Sequence, residues 1–404
     1  MKYIVVLGDG MADVPTLKLD RRTPLEAADI PNMDFLARNG LCGLARTIPE
    51  GMSPGSDTAN LSVLGYDPRT CYTGRSPLEA ASMGIKLADA DIAFRCNLVT
   101  LSDEPSFSDK TMLDYSAGEI TTEEARELVE YLRRELIPQY PQLELYPGIS
   151  YRHCLVLHGG STGSTLTPPH DFTGGPVAGR LPGGAEGELL IEVMRRSHEL
   201  LRSHPVNLSR IERGLPPANS CWFWGEGTRP SLRPFSEEYG VEGGMVCAVD
   251  LLRGIAVCAG MRTAEVEGAT GGMTTNYRGK CEAALEMLRS GCDLVYIHVE
   301  APDECGHHGE AQMKVNAIEA IDREIVARIL EELDGEDFSI LLTPDHPTPL
   351  DIRTHSPDPV PFVIYRSREE LSPHASCYTE AAASSTGILL PEGRMLMRLL
   401  LGIN

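Results

Sequence analysis

Long apolar runs are missing from this sequence. The amino-terminal run, Tyr3 to Leu7, ends after five residues at Gly8-Asp9-Gly10, which is too short for the apolar part of a signal peptide. No other segment approaches the roughly 20 apolar residues of a membrane helix. We therefore expect a cytoplasmic protein that has no membrane partner.

Paired cysteine motifs and basic charge are also scarce. The 11 cysteines are scattered singly from Cys42 to Cys377 without a C-x-x-C pair, which argues against a zinc ribbon or a dithiol redox motif and fits a reducing compartment. The 58 acidic residues outnumber the 36 basic ones, for a formal net charge of −22. So acidic a surface repels nucleic acid phosphates. Nucleic acid is not an expected partner, and an anionic substrate would need a local cluster of cations.

Strand and helix patterns alternate along the 404 residues. Buried strands are predicted at 3–7, 293–298, 338–342 and 361–365, and helices at 31–39, 121–136, 186–203 and 312–333. This alternation is typical of an α/β fold with a mostly parallel sheet and helices on both faces. Residues 1–90 and 216–404 are predicted to form this domain. Residues 91–215 are predicted to form a smaller inserted α+β domain. Its carboxyl-terminal boundary falls within a turn-rich stretch at 204–218.

Acidic and imidazole side chains follow several of the predicted strands. They are Asp9, Asp303, His307, Asp345, His346 and His355. Because ligands bind at the carboxyl ends of strands in open α/β sheets, these groups are expected to converge. Carboxylate and imidazole ligands together suit Zn or Mn. Taken singly, each has a surface pair or a helix cap as its alternative, and a dinucleotide turn at Gly8-Asp9-Gly10 would lack the third glycine of its motif.

Ser56 is the candidate nucleophile. It stands in Pro54-Gly55-Ser56-Asp57-Thr58, a turn followed by a helical start. Its hydroxyl would therefore lie at a helix N-terminus, where backbone N–H groups favour phosphate, and a metal ion would stabilise its alkoxide. The alternative is an ordinary helix cap, and Thr58 is the second candidate.

These segments together resemble the alkaline-phosphatase superfamily. Within it, Pro54 to Pro68 and the insert are similar to the archaeal-type cofactor-independent phosphoglycerate mutases, and the resemblance covers essentially the whole chain. It implies interconversion of 3-phosphoglycerate and 2-phosphoglycerate through a phosphoserine at Ser56, with two divalent ions, Mn or Zn, and no 2,3-bisphosphoglycerate. By resemblance, one ion would be held by Asp9, Ser56, Asp345 and His346, and the other by Asp303, His307 and His355.

The resemblance also implies contacts with a small phosphorylated hydroxy acid outside the metal ligands. Lys280 is similar to the family's phosphate-stabilising lysine, with an ordinary surface lysine as the alternative. In the predicted insert, Arg152, His153, His170 and Asp171 are similar to substrate-side segments, and an arginine fork suits a carboxylate. A solvated arginine or loop histidine is the alternative. The insert is expected to close and exclude water from the phosphoserine.

The metal motifs indicate phosphoryl transfer but do not identify the acceptor. A homoserine kinase-like phosphotransferase of threonine biosynthesis and a metal-dependent phosphatase or sulfatase are therefore alternatives. A non-catalytic phosphometabolite sensor would lack a ligand, whereas all seven candidate ligands are present. Homo-oligomerisation and the choice between Mn and Zn are left open.

Overall fold

The computed structural model describes residues 1–403. The strands are β1 (Lys2–Gly8), β2 (Leu41–Ala45), β3 (Ile92–Leu101), β4 (Met112–Asp114), β5 (Leu143–Tyr146), β6 (Arg152–Leu157), β7 (Ser164–Thr165), β8 (Gly183–Gly184), β9 (Ser220–Thr228), β10 (Gly243–Val246), β11 (Arg262–Ala264), β12 (Leu294–Val299), β13 (Phe338–Thr343), β14 (Val360–Arg366) and β15 (Leu389–Leu390).

The α-helices alternate with these strands. They are α1 (Pro24–Ala27), α2 (Pro31–Asn39), α3 (Ser56–Val63), α4 (Pro68–Cys71), α5 (Ser76–Ser82), α6 (Thr122–Glu135), α7 (Gly187–Leu201), α8 (Pro205–Glu212), α9 (Phe235–Tyr239), α10 (Asp250–Cys258), α11 (Tyr277–Arg289), α12 (Ala301–His308), α13 (Ala311–Ile321), α14 (Ala327–Glu332), α15 (Glu380–Ser385) and α16 (Met395–Leu401). Among residues 1–403, no helix has both the length and the apolar character needed to span a bilayer.

Two compact units divide the chain: residues 1–72 with those from 231 onwards form unit 1, and residues 73–230 form unit 2. Unit 2 thus extends beyond the predicted insert of 91–215 at both ends. The reason is packing across the sequence, because β9 pairs with β3 along its length and α5 packs on both strands. A boundary of this kind depends on partners more than a hundred residues apart.

Unit 1 is built around an eight-stranded sheet in the order β11-β10-β12-β1-β13-β14-β2-β15. All neighbours run parallel except β14, which is antiparallel to β13 and β2. Side chains alternate between the faces of a strand. Ile4 and Val6 pack with α2, α11 and α13, while Val5 and Leu7 are buried on the opposite face. The predicted α/β class, a mostly parallel sheet with buried faces, is confirmed.

Strand β1 lies between β12 and β13, and both pair with it in parallel. Gly8 is opposite Val299, and Leu7 is opposite Thr343, so the three strands end at nearly the same level. The residues that follow them meet at one edge of the sheet. That edge is where an open α/β sheet binds ligands.

Unit 2 has a sheet of its own, in which β3 pairs antiparallel with β4, β6 and β9, and β6 pairs antiparallel with β5. Its main core joins the sheet to α6 and α7 through residues such as Phe94, Leu128 and Val193. Helix α6 begins where the acidic first turn predicted it, with Thr121 accepting from the Glu124 N–H at 3.3 Å. Unit 2 is the α+β part of the chain.

Two helical predictions need correction. The turn-rich stretch at 204–218 contains α8, because His204 caps it and Pro205 occupies its first turn. The predicted helix at 312–333 is helical throughout but passes through a π-helical segment, Asp322–Val326. Asp322 Oδ1 there accepts the N–H groups of Asn32 and Met33 at 3.1 and 2.7 Å and so caps α2.

Candidate metal centre

Asp9, Asp345 and His346 meet at the carboxyl edge of the unit 1 sheet, and together with Ser56 we call them the inner group. Asp9 directly follows β1, while Asp345 and His346 follow the neighbouring β13. His346 Nε2 lies 3.6 Å from Asp9 Oδ1 and 3.4 Å from Asp345 Oδ2. The same nitrogen is 3.2 Å from Ser56 Oγ. One buried imidazole nitrogen therefore has two carboxylates and the hydroxyl around it.

Ser56 is the first residue of α3, and the capping position belongs to Gly55. One turn later, Asn60 Nδ2 donates to the Ser56 carbonyl at 2.8 Å and to Asp345 Oδ2 at 2.9 Å. Its Oδ1 accepts from the Tyr296 hydroxyl at 2.7 Å. With both amide hydrogens and the oxygen engaged, this buried side chain holds the first turn of α3 against Asp345.

Asp303, His307 and His355 form a second cluster, the outer group. Helix α12 carries Asp303 and His307 one turn apart, which places them on the same face. Asp303 Oδ2 is 3.2 Å from His307 Nε2, and Asp303 Oδ1 is 3.4 Å from His355 Nε2. The two histidine Nε2 atoms are 2.9 Å apart.

His346 also connects the two groups. Its ring centroid is 4.0 Å from that of His355. Two groups of three residues each have ligand atoms that lie within 4.8 Å of one another. One group is Asp9, Asp345 and His346, and the other is Asp303, His346 and His355. The resemblance gave His346 to one ion only, whereas it offers a ligand atom within 4.8 Å of those of each group.

The outer nitrogens of the histidines determine which atom faces the centre. His307 Nδ1 is 3.0 Å from the Arg353 carbonyl, and His355 Nδ1 is 3.4 Å from the Pro54 carbonyl. A carbonyl oxygen only accepts, so each Nδ1 carries a proton, and each Nε2 is left to bond to Asp303 or to exchange its own proton for a metal ion. Metal-ligating histidines are held in this way by a second hydrogen bond.

The clustered carboxylates at this edge favour the binding of a cation. Burial and the carboxylates of Asp345 and Asp303 raise the pKa of Asp9 well above its ordinary value. Burial alone would raise the pKa of Asp303, but hydrogen bonds from His307 and His355 outweigh it and hold that pKa low. The same bond to Asp303 raises the pKa of His307 to about 9. The negative charge at this edge therefore favours the protonated forms of Asp9 and His307.

The surroundings of Asp9 Oδ1 indicate whether a metal ion would fit. Among the described residues, Asp9 Oδ1 has no hydrogen-bond donor although it is buried, and such an atom is costly unless it is paired or coordinates a metal. Its partner Oδ2 is 2.9 Å from His298 Nε2. Carboxylate and imidazole donors at these spacings suit Mn or Zn. The residues present therefore fit divalent ions.

Lys280 is fully buried, so the alternative of a surface lysine does not apply. Its Nζ donates to the His298 carbonyl at 3.0 Å, and the His298 ring contacts Asp9. Burial lowers the pKa of Lys280 to about 8. Burial, with the neighbouring Lys280 charge, also lowers the pKa of His298 to about 3. A neutral imidazole thus connects the Lys280 segment to Asp9.

The candidates in unit 2 differ in exposure. Arg152 is exposed and stands opposite Asn97 across the β3–β6 pair. His153, the next residue, is buried, and its Nδ1 accepts from the Gly148 N–H at 3.0 Å. Burial lowers the pKa of His153 to about 3. This histidine holds the turn before β6 and does not face solvent.

His170 and Asp171 lie in the short 3₁₀ turn Pro169–Phe172 and are exposed. The His170 ring is edge-on to Tyr115 and Trp224, with ring centroids 6.0 and 5.2 Å away. Asp171 Oδ1 is 3.5 Å from His170 Nε2. Aromatic rings beside the polar side chains of His170 and Asp171 are suited to binding a small polar ligand.

Three residues at the centre were missed from the sequence: Asn60, His298 and Thr348. Asn60 stands four residues after Ser56, a spacing that places both on one helix face, and this signal was available. His298 ends a predicted strand, which is a weaker signal. Thr348 follows no pattern, because its contacts to Asp303 and His346 exist only in the folded chain.

Comparison with known proteins identifies the family of this chain. The sequence profile of the family described as 2,3-bisphosphoglycerate-independent phosphoglycerate mutase matches residues 37–207. A relative of that name from Methanothrix thermoacetophila is 51% identical over 403 residues, covering 99% of this chain and 100% of its own length. This chain belongs to that family.

Other known proteins are similar to this chain over nearly its whole length. A probable 2,3-bisphosphoglycerate-independent phosphoglycerate mutase of Geobacter sulfurreducens is 50% identical over 99% of this chain and 100% of its own length. A solved structure from Pyrococcus horikoshii has a TM-score of 0.82 at 31% identity, covering 99% of this chain and 97% of that one. The cofactor-independent phosphoglycerate mutase of Thermoplasma acidophilum has a TM-score of 0.70 at 26% identity, covering 100% and 99%.

Proposed function

We propose that this member of the mutase family interconverts 3-phosphoglycerate and 2-phosphoglycerate through a phosphoserine at Ser56. The observation that carries the proposal is the convergence of the inner and outer groups at one sheet edge, with Ser56 Oγ 3.2 Å from His346 Nε2. No 2,3-bisphosphoglycerate is required, in keeping with the family's name.

Two divalent ions, Mn or Zn, are the proposed metal cofactors. Asp9, Ser56, Asp345 and His346 would hold one, and Asp303, His307 and His355 the other, with His346 close to both. When bound, such ions supply positive charge that favours the serine alkoxide and neutralises the transferring phosphoryl group. The uncompensated Asp9 Oδ1 and the paired Nε2 atoms of His307 and His355 support this reading.

The protein's own side chains would then act as follows. Ser56 Oγ attacks phosphorus, the substrate's ester P–O bond breaks, and the released glycerate oxygen takes up the proton that Ser56 loses. Asn60 keeps Ser56 in place through the serine carbonyl. The N-terminus of α3 would favour an incoming phosphate, as helix N-termini do. Return of the phosphoryl group to the other glycerate hydroxyl regenerates Ser56 and completes the isomerisation.

We assign charge stabilisation of the phosphoryl group to Lys280, whose ammonium keeps its charge below its pKa of about 8 although burial lowers that pKa. In unit 2 we propose that Arg152, His170 and Asp171 bind glycerate, with the Arg152 fork on the carboxylate. We propose for His153 the supporting role that its burial and its bond to Gly148 favour.

The test is an enolase-coupled assay with 3-phosphoglycerate, without 2,3-bisphosphoglycerate, on chelated protein and after Mn or Zn is restored. Ser56→Ala should lower the rate at least about 10³-fold, as loss of a nucleophile does, while metal content stays largely intact because Asp9, Asp345 and His346 remain. Ser62→Ala is the matched control, because its hydroxyl donates only to the Thr58 carbonyl of the same helix at 3.1 Å. Mass spectrometry of quenched turnover should find phosphate on Ser56.

Several outcomes would overturn the proposal. Full activity of Ser56→Ala would move the nucleophile, first to Thr58, or refute the covalent route. Release of inorganic phosphate faster than isomerisation would indicate a phosphatase. Activity only with homoserine and ATP would refute the substrate assignment. Activity that survives complete chelation would refute the metal requirement.

A further inference from the structure

Thr348 lies between the two metal-ligand groups. It is fully buried, two residues after His346. Its hydroxyl donates to Asp303 Oδ1 of the outer group and is 3.3 Å from His346 Nδ1 of the inner group. A single side-chain oxygen thus contacts one proposed ligand from each group.

The hydrogen-bonding capacity of a hydroxyl determines the direction of both bonds. A carboxylate oxygen accepts, so the single Thr348 proton goes to Asp303. The bond to His346 must then run the other way, from Nδ1–H to Oγ1. This leaves a lone pair on His346 Nε2, the atom that faces Ser56, Asp9 and Asp345. Thr348 therefore orients Asp303 and selects the histidine tautomer at the same time.

The main chain of Thr348 is also held on both sides. Its N–H donates to the Ala12 carbonyl at 3.2 Å, and its carbonyl accepts from Lys314 Nζ at 2.8 Å. A Cβ at Gly306, in the Asp303-to-His307 turn of α12, would lie 2.6 Å from the Thr348 carbonyl and 2.7 Å from its Cγ2. A Cβ at Gly10 would lie 2.5 Å from Thr348 Oγ1. Both glycines make room for this side chain at the place where it meets the ligands.

We propose that Thr348 is a positioning residue that couples the two metal sites, by orienting Asp303 for one ion and presenting Nε2 of His346 to the other. The proposal rests on the metal centre of the proposed function. It predicts that removal of this hydroxyl weakens metal binding even though Thr348 itself touches neither substrate nor metal. Loss of a hydrogen bond that orients a ligand costs about 10- to 100-fold in metal affinity.

The experiment titrates Mn²⁺ into the chelated full-length protein by calorimetry and records the visible spectrum of the Co²⁺-loaded form. Thr348→Val and Thr348→Ala should each bind at least one ion about 10- to 100-fold more weakly and alter the Co²⁺ spectrum. Thr348→Ser should bind like the unaltered protein. The matched control is Thr343→Val. Thr343 is equally buried, but its one hydroxyl proton is shared between the Pro344 and Pro361 carbonyls, 2.8 and 3.2 Å from Oγ1.

A second measurement needs no variant. The ¹⁵N shifts of His346 in the metal-free protein should show a protonated Nδ1 and an unprotonated Nε2, so variants that fail to fold still leave the proposal testable. The opposite tautomer would overturn it, as would Thr348→Val with unchanged affinities and spectrum. If the unaltered protein bound no divalent ion at all, the proposed function itself would fail. Two ions bound equally well by all Thr348 variants would refute the coupling role alone.

Discussion

Lys314→Met tests how unit 1 holds the loops of its candidate metal centre together. Lys314 Nζ donates to Asp13 Oδ2 and the Thr348 carbonyl, each at 2.8 Å, and to the Ala12 carbonyl at 3.3 Å. Both side chains of the ion pair are 0% exposed. Methionine preserves the bulk of the side chain but leaves Asp13 buried without its cation.

The expected loss follows from that burial. Breaking a buried ion pair by removing one partner costs about 3–5 kcal/mol, a large part of the roughly 5–15 kcal/mol that stabilises a typical domain. For a unit of this size, the melting temperature should fall by roughly 6 to 20 °C. Thr348 would lose an anchor as well, so metal affinity should fall with stability.

The assay can separate the two units. Hydrogen exchange at the amides of β1 and β13 reports on unit 1, whereas both tryptophans, Trp222 and Trp224, lie in unit 2. Loss of protection in Lys314→Met should therefore appear at β1 and β13. The control is Lys18→Met, an exposed lysine whose Nζ also donates to two carbonyls, those of Gly309 and Leu350, at 3.2 and 3.1 Å. We expect it to cost less than about 1 kcal/mol.

Equal losses in Lys314→Met and Lys18→Met would refute the argument from burial. The double variant Asp13→Asn/Lys314→Met gives a further check, because it removes the uncompensated charge while keeping an acceptor oxygen. It should be more stable than Lys314→Met alone, since residues in direct contact do not act additively. A double variant that adds the two losses would contradict the ion-pair explanation.

Three other changes have defined outcomes. Burial raises the pKa of Glu380 to about 7 from 4.5, so its favourable contribution is complete below the lower value and lost as pH rises through the higher one. Glu380→Gln should make the urea unfolding midpoint depend less on pH between these two values. An unchanged pH dependence of the midpoint would contradict this prediction. Gly306→Ala should weaken Mn²⁺ binding because its Cβ would meet Thr348, whereas Gly272→Ala, with nothing within 4 Å, should not. Asn60→Asp should lower kcat about 10²-fold in the coupled assay, since the new carboxylate would face that of Asp345. An unchanged kcat would show that the Asn60 amide does not position the serine.

Local patterns were enough for most of the regular elements. Helix α2 spans Pro31–Asn39 as predicted, because Pro31 marks its start and Gly40 its end. The π-helical segment Asp322–Val326 was not predictable, since Asp322 caps a helix 290 residues away. Helix α8 was missed because its cap is a histidine, His204, which is an uncommon capping residue.

The convergence of the candidate metal ligands was the most predictable part of the site. Each candidate follows a strand or lies close after one, and parallel strands force their carboxyl ends to one edge. The candidates on the substrate side were less predictable, because exposure is a tertiary property. Lys280 and Arg152 had the same alternative of a solvated side chain, yet Lys280 is buried and Arg152 is exposed.

The sequence by itself therefore determined the parallel α/β sheet and the set of acidic and imidazole groups at its carboxyl edge, because strand order and side-chain chemistry are local and repetitive. Only the tertiary structure decided that His346 reaches both groups, that Thr348 joins them and that Lys280 and His153 are buried. Which nitrogen of an imidazole faces inward depends on the atom that binds the other nitrogen. That atom lies in a loop whose position the fold sets, as the bond from His355 to the Pro54 carbonyl shows.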